Sequence, residues 1–124
     1  MKNKITLFLL MVSSSYATAA TELFDSTIIS QLAIMKEQCE SCSIAMQDYL
    51  LIRRSACGDS IDAVAFEKAF STSPMITAMM TVHSIDAVAY KTQFIPMAKK
   101  NVNCKNDSSW LDATRENYSK QYSN

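Results

Sequence analysis

The chain of 124 residues is poor in the residues that make turns, with one glycine and two prolines. β-Sandwiches and barrels need many turns, and glycine and proline supply most of them. An all-β fold is therefore disfavoured. Gly58, Pro74 and Pro96 stand singly, at places where helices end or begin. The composition predicts an all-α protein, a small bundle of five or six helices.

Motifs for catalysis and cofactor binding are also lacking. The sequence has no glycine-rich phosphate loop, no nucleophile elbow and no metalloprotease motif. Its single histidine, His83, is followed by Ser84 and Asp86, which are better explained as helix-start residues than as catalytic partners. We expect His83 to lie on the surface. We predict no enzymatic activity, no metal ion and no cofactor.

Long apolar runs are absent beyond the first twenty residues. Lys2 and Lys4 precede the apolar run of residues 5–12, and small residues follow, ending in Ala17-Thr18-Ala19-Ala20. This order is typical of a secretory signal peptide, and the run is too short to span a membrane. We predict a cleaved leader of residues 1–20, a single helical domain of residues 21–124, and no membrane insertion after the leader is removed.

An excess of positive charge is absent as well. Without Lys2 and Lys4 the chain keeps ten Lys and Arg against twelve Asp and Glu, a formal charge of −2. Nucleic-acid binding needs a basic surface, so we expect no nucleic-acid partner.

The four cysteines all follow the leader, and an even count in a small exported domain predicts two disulfides. If residues 43–56 form one helix, they hold Cys57 about 20 Å from Cys42. A disulfide spans no more than about 7 Å between Cα atoms. This geometry favours Cys39–Cys42 and Cys57–Cys104.

Apolar residues spaced by three and four predict a helical face before Gly58, as one long helix or as two broken near Cys39 and Cys42. Its members are Ile28, Leu32, Met35, Cys39, Cys42, Met46 and Tyr49. Asp25 or Ser26 is the expected N-cap, and Gly58 the exit.

After Gly58 a heptapeptide recurs, as residues 60–66 and 84–90. Each copy predicts an amphipathic helix with a serine N-cap and an aspartate in the first turn. The faces expected to be buried are Ile61, Val64, Ala65 and Phe66 in one copy and Ile85, Val88, Ala89 and Tyr90 in the other.

Three further helix signals complete the pattern. Ser73-Pro74 predicts a helix that carries Met75, Ile76, Met79 and Met80. Pro96 should kink or end the helix that begins at Ser84. Residues 107–109 are expected to cap a final helix with Trp110, Leu111, Tyr118 and Tyr122.

The CxxC pair resembles that of thiol oxidoreductases, which set the motif at a helix start after a strand. No strand is expected here, and both sulfurs fall within an apolar stripe, so a buried structural bridge is favoured. Haem attachment needs a histidine after the second cysteine, where Ser43 stands. Zinc is disfavoured because export favours oxidised cysteines.

The leader, the Cys39-Glu-Ser-Cys42, Cys57 and Cys104 pattern, the helical periodicity and the length together resemble small periplasmic immunity proteins of type VI secretion. The member of that family that this chain resembles neutralises a lysozyme-like peptidoglycan hydrolase domain on a secretion spike protein. The resemblance implies a periplasmic homodimer that occludes the substrate groove of a cognate cell-wall hydrolase effector.

A muramidase cleft contains catalytic carboxylates, so a cation or an amide side chain is a suitable plug. The candidate interface residues are Arg53, Arg54, Lys91 and Gln93, with Gln38 and Ser41 beside the short bridge.

Two other classes of function compete with inhibition. A periplasmic chaperone or secretion adaptor would bind clients through a Met-rich surface, for which six methionines follow the leader. A thiol oxidoreductase would use Cys39 and Cys42. We rank the inhibitor first, the chaperone or adaptor second and the oxidoreductase third.

Overall fold

The computed structural model describes residues 24–123, and within them the fold is a bundle of six helices without a strand. The predicted leader lies outside the described residues. The helices are α1 (Ser26–Gln38), α2 (Glu40–Cys57), α3 (Ala63–Thr72), α4 (Pro74–Ile85), α5 (residues 87–100) and α6 (Asp107–Ser123). Helix α5 joins Ala87–Ala89, a π-helical turn Tyr90–Phe94, and Ile95–Lys100. The all-α prediction is confirmed.

The first apolar stripe forms two helices rather than one. Asp25 caps α1, since its Oδ1 accepts the Ile28 N–H at 2.8 Å. Cys39 is extended and serves both as the C-cap of α1 and as the N-cap of α2. Gly58 ends α2 with φ 71°, a left-handed conformation that suits glycine.

Helix α2 is the centre of the bundle, with α1 and α4 packed against it and α6 packed against α4 and α5. Trp110 lies fully buried, stacks on Tyr49 and donates its Nε1–H to the Ala98 carbonyl oxygen at 2.8 Å. The other large side chains that are fully buried and apolar are Ile28, Met46, Met75, Ile76, Met79 and Phe94.

Both predicted disulfides are present. Cys39–Cys42 closes the corner between α1 and α2, and Cys57–Cys104 ties the end of α2 to the segment between α5 and α6. The described cysteines include no free thiol. Disulfides of this kind persist in compartments that oxidise thiols. Among the described helices, none is long and apolar enough to cross a membrane.

The predicted caps of the repeated segments were wrong by two residues. Asp62 and Asp86, rather than Ser60 and Ser84, are the N-caps, and each accepts the N–H three residues later. The last helix is capped by an asparagine outside the predicted 107–109, because Asn106 Oδ1 accepts the Ser109 N–H at 3.0 Å.

The buried faces of the repeats were predicted only in part. Phe66, Ala89 and Tyr90 are buried, but Val64, Ile85 and Val88 are more than 70% exposed, at 75%, 79% and 71%. With the aspartates as caps, each helix begins later than the sequence suggested. The valine that follows each cap then lies outside the core.

Pro96 neither ends α5 nor leaves it regular. A proline within a helix lacks an N–H and clashes with the carbonyl four residues earlier. The helix passes this point through the π-helical turn, where the Ile95 N–H bonds to the Tyr90 oxygen five residues earlier. Tyr90 and Phe94, at the two ends of the turn, are both buried.

Candidate functional site

A groove runs between α2 and α5, and we call it the α2–α5 groove. It consists of two adjoining hollows of about 520 and 550 Å³ that share Asp48, Ile95 and Lys99. The two helices run in the same direction along the groove, so the early residues of α2 lie opposite the early residues of α5 and the later ones opposite the later ones. Its principal lining residues are Ile44, Asp48, Leu51, Ile52, Ser55, Tyr90, Lys91, Ile95 and Lys99, with Arg54 at one end and His83 at the other.

The floor of the groove carries one polar bridge between the two helices. The Tyr90 hydroxyl donates to Asp48 Oδ2 at 2.7 Å. Burial raises the pKa of Asp48 above its usual value, while the bond from Tyr90 and the nearby Lys99 oppose that rise. Burial, followed by the bond to Asp48, also raises the pKa of Tyr90. The tyrosine is therefore neutral and a hydrogen-bond donor throughout the physiological pH range.

The rim of the groove is basic. Arg54, Lys91 and Lys99 are exposed and border it, and Asp48 is the one carboxylate among its lining residues. Because the chain as a whole is close to neutral, this rim is a local concentration of positive charge. Its apolar walls, Ile44, Leu51 and Ile95, are half-buried.

A hydroxyl–imidazole pair lies at the His83 end. Ser41 Oγ and His83 Nδ1 are 2.7 Å apart, and the Tyr90 ring meets the His83 ring edge-on with centroids 5.1 Å apart. His83, which we expected on the surface, is half-buried and joins α4 to the first turn of α2 through its bond with Ser41. The half-buried Ser41 and the buried Tyr90 position the ring.

A second polar cluster, on the other side of α2, engages Arg53. Its guanidinium contacts Asp59 at 2.7 Å and Asp107 at 3.4 Å. Asp107 Oδ2 also accepts bonds from the Tyr49 and Ser73 hydroxyls. Arg53 is therefore engaged within the molecule by these two carboxylates, and its place in the inhibitory interface stays a prediction.

The structure brings together only some of the predicted interface residues. Arg54 and Lys91 border the groove, and Ser41 joins its end through His83. Gln38 is exposed at the end of α1 and is not among the residues that line the groove. Gln93 is half-buried in the π-helical turn, and its Oε1 has no partner among the described residues.

Sequence reasoning missed Lys99, Asp48 and Tyr90. The repeated segment predicted Tyr90 only as a buried residue of a helical face. Nothing in the local pattern indicates that its hydroxyl donates a hydrogen bond to Asp48, 42 residues earlier. Lys99 is not among the interface candidates named from the sequence. Its position eight residues after Lys91, on the same side of a helix, is the signal that could have found it.

The six methionines that follow the predicted leader are buried or half-buried, and the chaperone or adaptor hypothesis stays a prediction. Met46, Met75 and Met79 are fully buried, and Met35, Met80 and Met97 are half-buried.

Comparison with known proteins finds no family model, no curated protein and no solved structure that matches this chain.

Proposed function

We propose that this protein is a periplasmic immunity protein that binds a secreted muramidase-type cell-wall hydrolase and occludes its substrate groove. The observation that carries the proposal is the basic rim of the α2–α5 groove, formed by Arg54, Lys91 and Lys99. Glycoside hydrolases of this type act through a pair of carboxylates that flank the scissile bond. The rim complements a surface of that charge.

The positions of the cations support a role in association. Lys91 and Lys99 project from one helix and Arg54 from the other, so positive charge is presented on both sides of one groove. Long cationic side chains accelerate encounter with an acidic surface and favour one orientation over others. The half-buried isoleucine and leucine walls supply apolar area that a partner's side chains can cover.

The rigidity of the bundle supports tight binding. Two disulfides fix both ends of α2, and the Tyr90–Asp48 and Ser41–His83 bonds hold the flanks of the groove. A surface that is already ordered loses little conformational entropy on binding. An inhibitor of this kind needs no catalytic residues, only a surface that is complementary to the hydrolase.

The proposed compartment follows from the cysteines and the predicted leader. A cell-wall hydrolase delivered by a neighbouring cell acts outside the inner membrane, where disulfides form. An inhibitor must be exported to meet it there.

The proposal is tested by measuring binding of the mature protein to a panel of purified cell-wall hydrolases. We expect nanomolar affinity for one of them and loss of its activity on peptidoglycan. The variant Lys91→Glu/Lys99→Glu should weaken binding by about 100-fold. Lys100→Glu/Lys105→Glu is the matched control, because it makes the same charge change at exposed residues that do not line the groove.

Micromolar or weaker binding to every hydrolase would remove the inhibitor hypothesis. Equal weakening by the two double variants would show that overall charge, and not the groove, governs binding.

We also propose that the protein is a homodimer, as the family resemblance implies. Ile85 and Val88, which are exposed apolar residues where α4 ends and α5 begins, are available to such an interface. Light scattering after size-exclusion chromatography measures the mass directly, and a monomeric mass at micromolar concentration would contradict the dimer.

A further inference from the structure

The two disulfides of this protein lie at opposite ends of one helix. Cys39 is the N-cap of α2 and Cys42 lies in its first turn, whereas Cys57 is the last residue of the same helix. The sequence favoured a buried bridge for Cys39–Cys42. The structure instead places both of these cysteines at a helix start and leaves them half-buried, so burial no longer argues that the bridge is inert, although no strand precedes this helix within the described residues.

The environment of Cys39 favours a negatively charged sulfur. Its Sγ accepts the backbone N–H of Cys42 at 3.1 Å. The N-terminus of a helix carries partial positive charge, which stabilises a thiolate at this position. The bond between Ser41 and His83 holds the intervening residues in place. A sulfur held in this way is a good leaving group in thiol–disulfide exchange.

The environment of the other bridge disfavours a charged sulfur. Cys57 lies at the C-terminal end of α2, where the partial charge of the helix is negative. Cys104 Sγ lies 3.8 Å from the Ala56 carbonyl oxygen, and that oxygen would repel a thiolate. Cys104 is nevertheless exposed, so access alone would make this bridge the easier of the two to open. Comparing the opening rates of the two bridges therefore distinguishes two effects: local charge favours opening of Cys39–Cys42, whereas solvent access favours opening of Cys57–Cys104.

We propose that Cys39–Cys42 is a redox-active disulfide that exchanges with dithiols, and that Cys57–Cys104 is the structural bridge. This activity is separate from hydrolase binding and does not depend on it.

The exchange has two steps. A thiolate of the dithiol attacks the Cys42 sulfur, the Cys39–Cys42 bond breaks, and its electron pair leaves on the Cys39 sulfur. The second thiolate of the dithiol then attacks the mixed disulfide and releases Cys42. The dithiol is oxidised to a cyclic disulfide, the protein gains two electrons, and the two protons given up by the dithiol pass to the cysteines or to solvent. The reaction runs in reverse when a disulfide is the oxidant.

The corner between α1 and α2 keeps other bonds when the bridge opens. The Cys39 N–H donates to the Met35 carbonyl oxygen at 2.7 Å, and Ser43 Oγ donates to the Leu32 carbonyl oxygen at 2.9 Å. Reduction of this pair therefore leaves the bundle folded, as a reversible exchange requires.

The test treats the folded mature protein with dithiothreitol, stops the reaction with acid and N-ethylmaleimide, and quantifies each bridge by peptide mass spectrometry. We expect Cys39–Cys42 to open about tenfold faster than Cys57–Cys104. Circular dichroism should stay unchanged while the first bridge is open. Equal rates, or faster opening of Cys57–Cys104, would overturn the proposal.

A second measurement tests whether the charge near Cys39, rather than the surrounding fold, determines how fast the bridge opens. Glu40 adjoins Cys39 in the first turn of α2, and its carboxylate opposes a negative sulfur there. Glu40→Gln should open the Cys39–Cys42 bridge about threefold faster. Glu67→Gln, which makes the same change at an exposed position on α3, should leave that rate as it is. An unchanged rate in Glu40→Gln would contradict the assigned role of charge.

Discussion

Single residues join helices that are distant in sequence, and Asp107 is the clearest case. Its carboxylate accepts bonds from Tyr49 on α2 and from Ser73, which precedes α4, and it pairs with Arg53. Asp107 itself begins α6. One carboxylate thus connects three helices, at a site where its side chain is 21% exposed.

Asp107→Asn should therefore destabilise the fold by about 2 kcal/mol, because an amide pairs poorly with two hydroxyl donors and leaves Arg53 short of a partner. Urea unfolding measures the change. Asp112→Asn, an exposed position on the same helix, is the control and should cost less than about 0.5 kcal/mol. Similar costs for the two variants would show that the network contributes little.

The raised pKa of Tyr49 predicts that the folded protein loses stability at alkaline pH. Burial, followed by the bond to Asp107, raises its pKa from 10.0 to about 12. Between these values the folded protein keeps a proton that the unfolded chain has lost, so stability falls as pH rises from about 10 to about 12, with a slope approaching 1.4 kcal/mol per pH unit. Tyr90, whose pKa is also raised, adds to the slope.

The measurement is urea unfolding of the wild type and of Tyr49→Phe at pH 9 and at pH 11. Phenylalanine has no proton to lose, so the variant should lose less stability between the two conditions. A loss equal to that of the wild type would assign the alkaline slope to other groups.

Asp48 opposes the basic rim of the groove. Asp48→Asn keeps an oxygen that can accept the Tyr90 hydroxyl and removes the negative charge. If the groove is the docking site for the hydrolase, the variant should associate about threefold faster at low salt, with the gain reduced at high salt. Stopped-flow or surface plasmon resonance measures the rate. Slower association would indicate that Asp48 itself contacts the partner.

At the scale of helices, the caps of α3 and α5 give a matched comparison. Asp62 and Asp86 each accept a backbone N–H, whereas the serines two residues earlier in each repeat do not cap. Asp62→Ala and Asp86→Ala should each cost about 1 kcal/mol in urea unfolding, and Ser60→Ala should cost almost nothing. A serine variant as destabilising as its aspartate counterpart would contradict the observed caps.

The sequence predicted the helices where local chemistry decides them. Asp25 and Gly58 act within one turn of the chain, so the ends they define follow from the residues alone. The break at Cys39 was one of two open alternatives, because an apolar stripe with spacings of three and four fits one helix or two. The disulfide pairing followed from the length of α2 and needed no knowledge of tertiary structure.

Where tertiary contacts decide, the sequence was insufficient. Val64 and Val88 have the same apolar character as the core valines of other proteins, and the helices that begin at the Asp62 and Asp86 caps pack in a way that leaves both exposed. Phe70 and Phe94 each lie four residues after a copy of the repeated heptapeptide, yet Phe94 is buried beside Tyr118 and Phe70 is 48% exposed. The π-helical turn before Pro96 likewise reflects how α5 meets the core.

For the molecule as a whole, the candidate site exists only in the assembled bundle. The groove combines residues of α2 with residues of α5 that lie about forty positions later, and each helix alone presents an ordinary mixture of charged and apolar side chains. Cations on an exposed helix usually have no special role. Their arrangement on both sides of one groove is a property of the fold, so the sequence identified Arg54 and Lys91 as candidates but could not relate them to Asp48.

The Cys57–Cys104 bridge determines how well that assembly persists, because it links the end of α2 to the segment before α6 across 47 positions. In the chain-entropy model, a loop of this length is worth about 4 kcal/mol, and the three-residue separation of Cys39–Cys42 about 2 kcal/mol.

Cys57→Ala/Cys104→Ala should therefore lower the free energy of unfolding about twice as much as Cys39→Ala/Cys42→Ala. Urea unfolding of both variants under non-reducing conditions measures the difference. Equal losses would show that strain or residual structure in the unfolded chain outweighs loop length. A larger loss from the short bridge would make the corner between α1 and α2, rather than the long loop, the principal constraint on the fold.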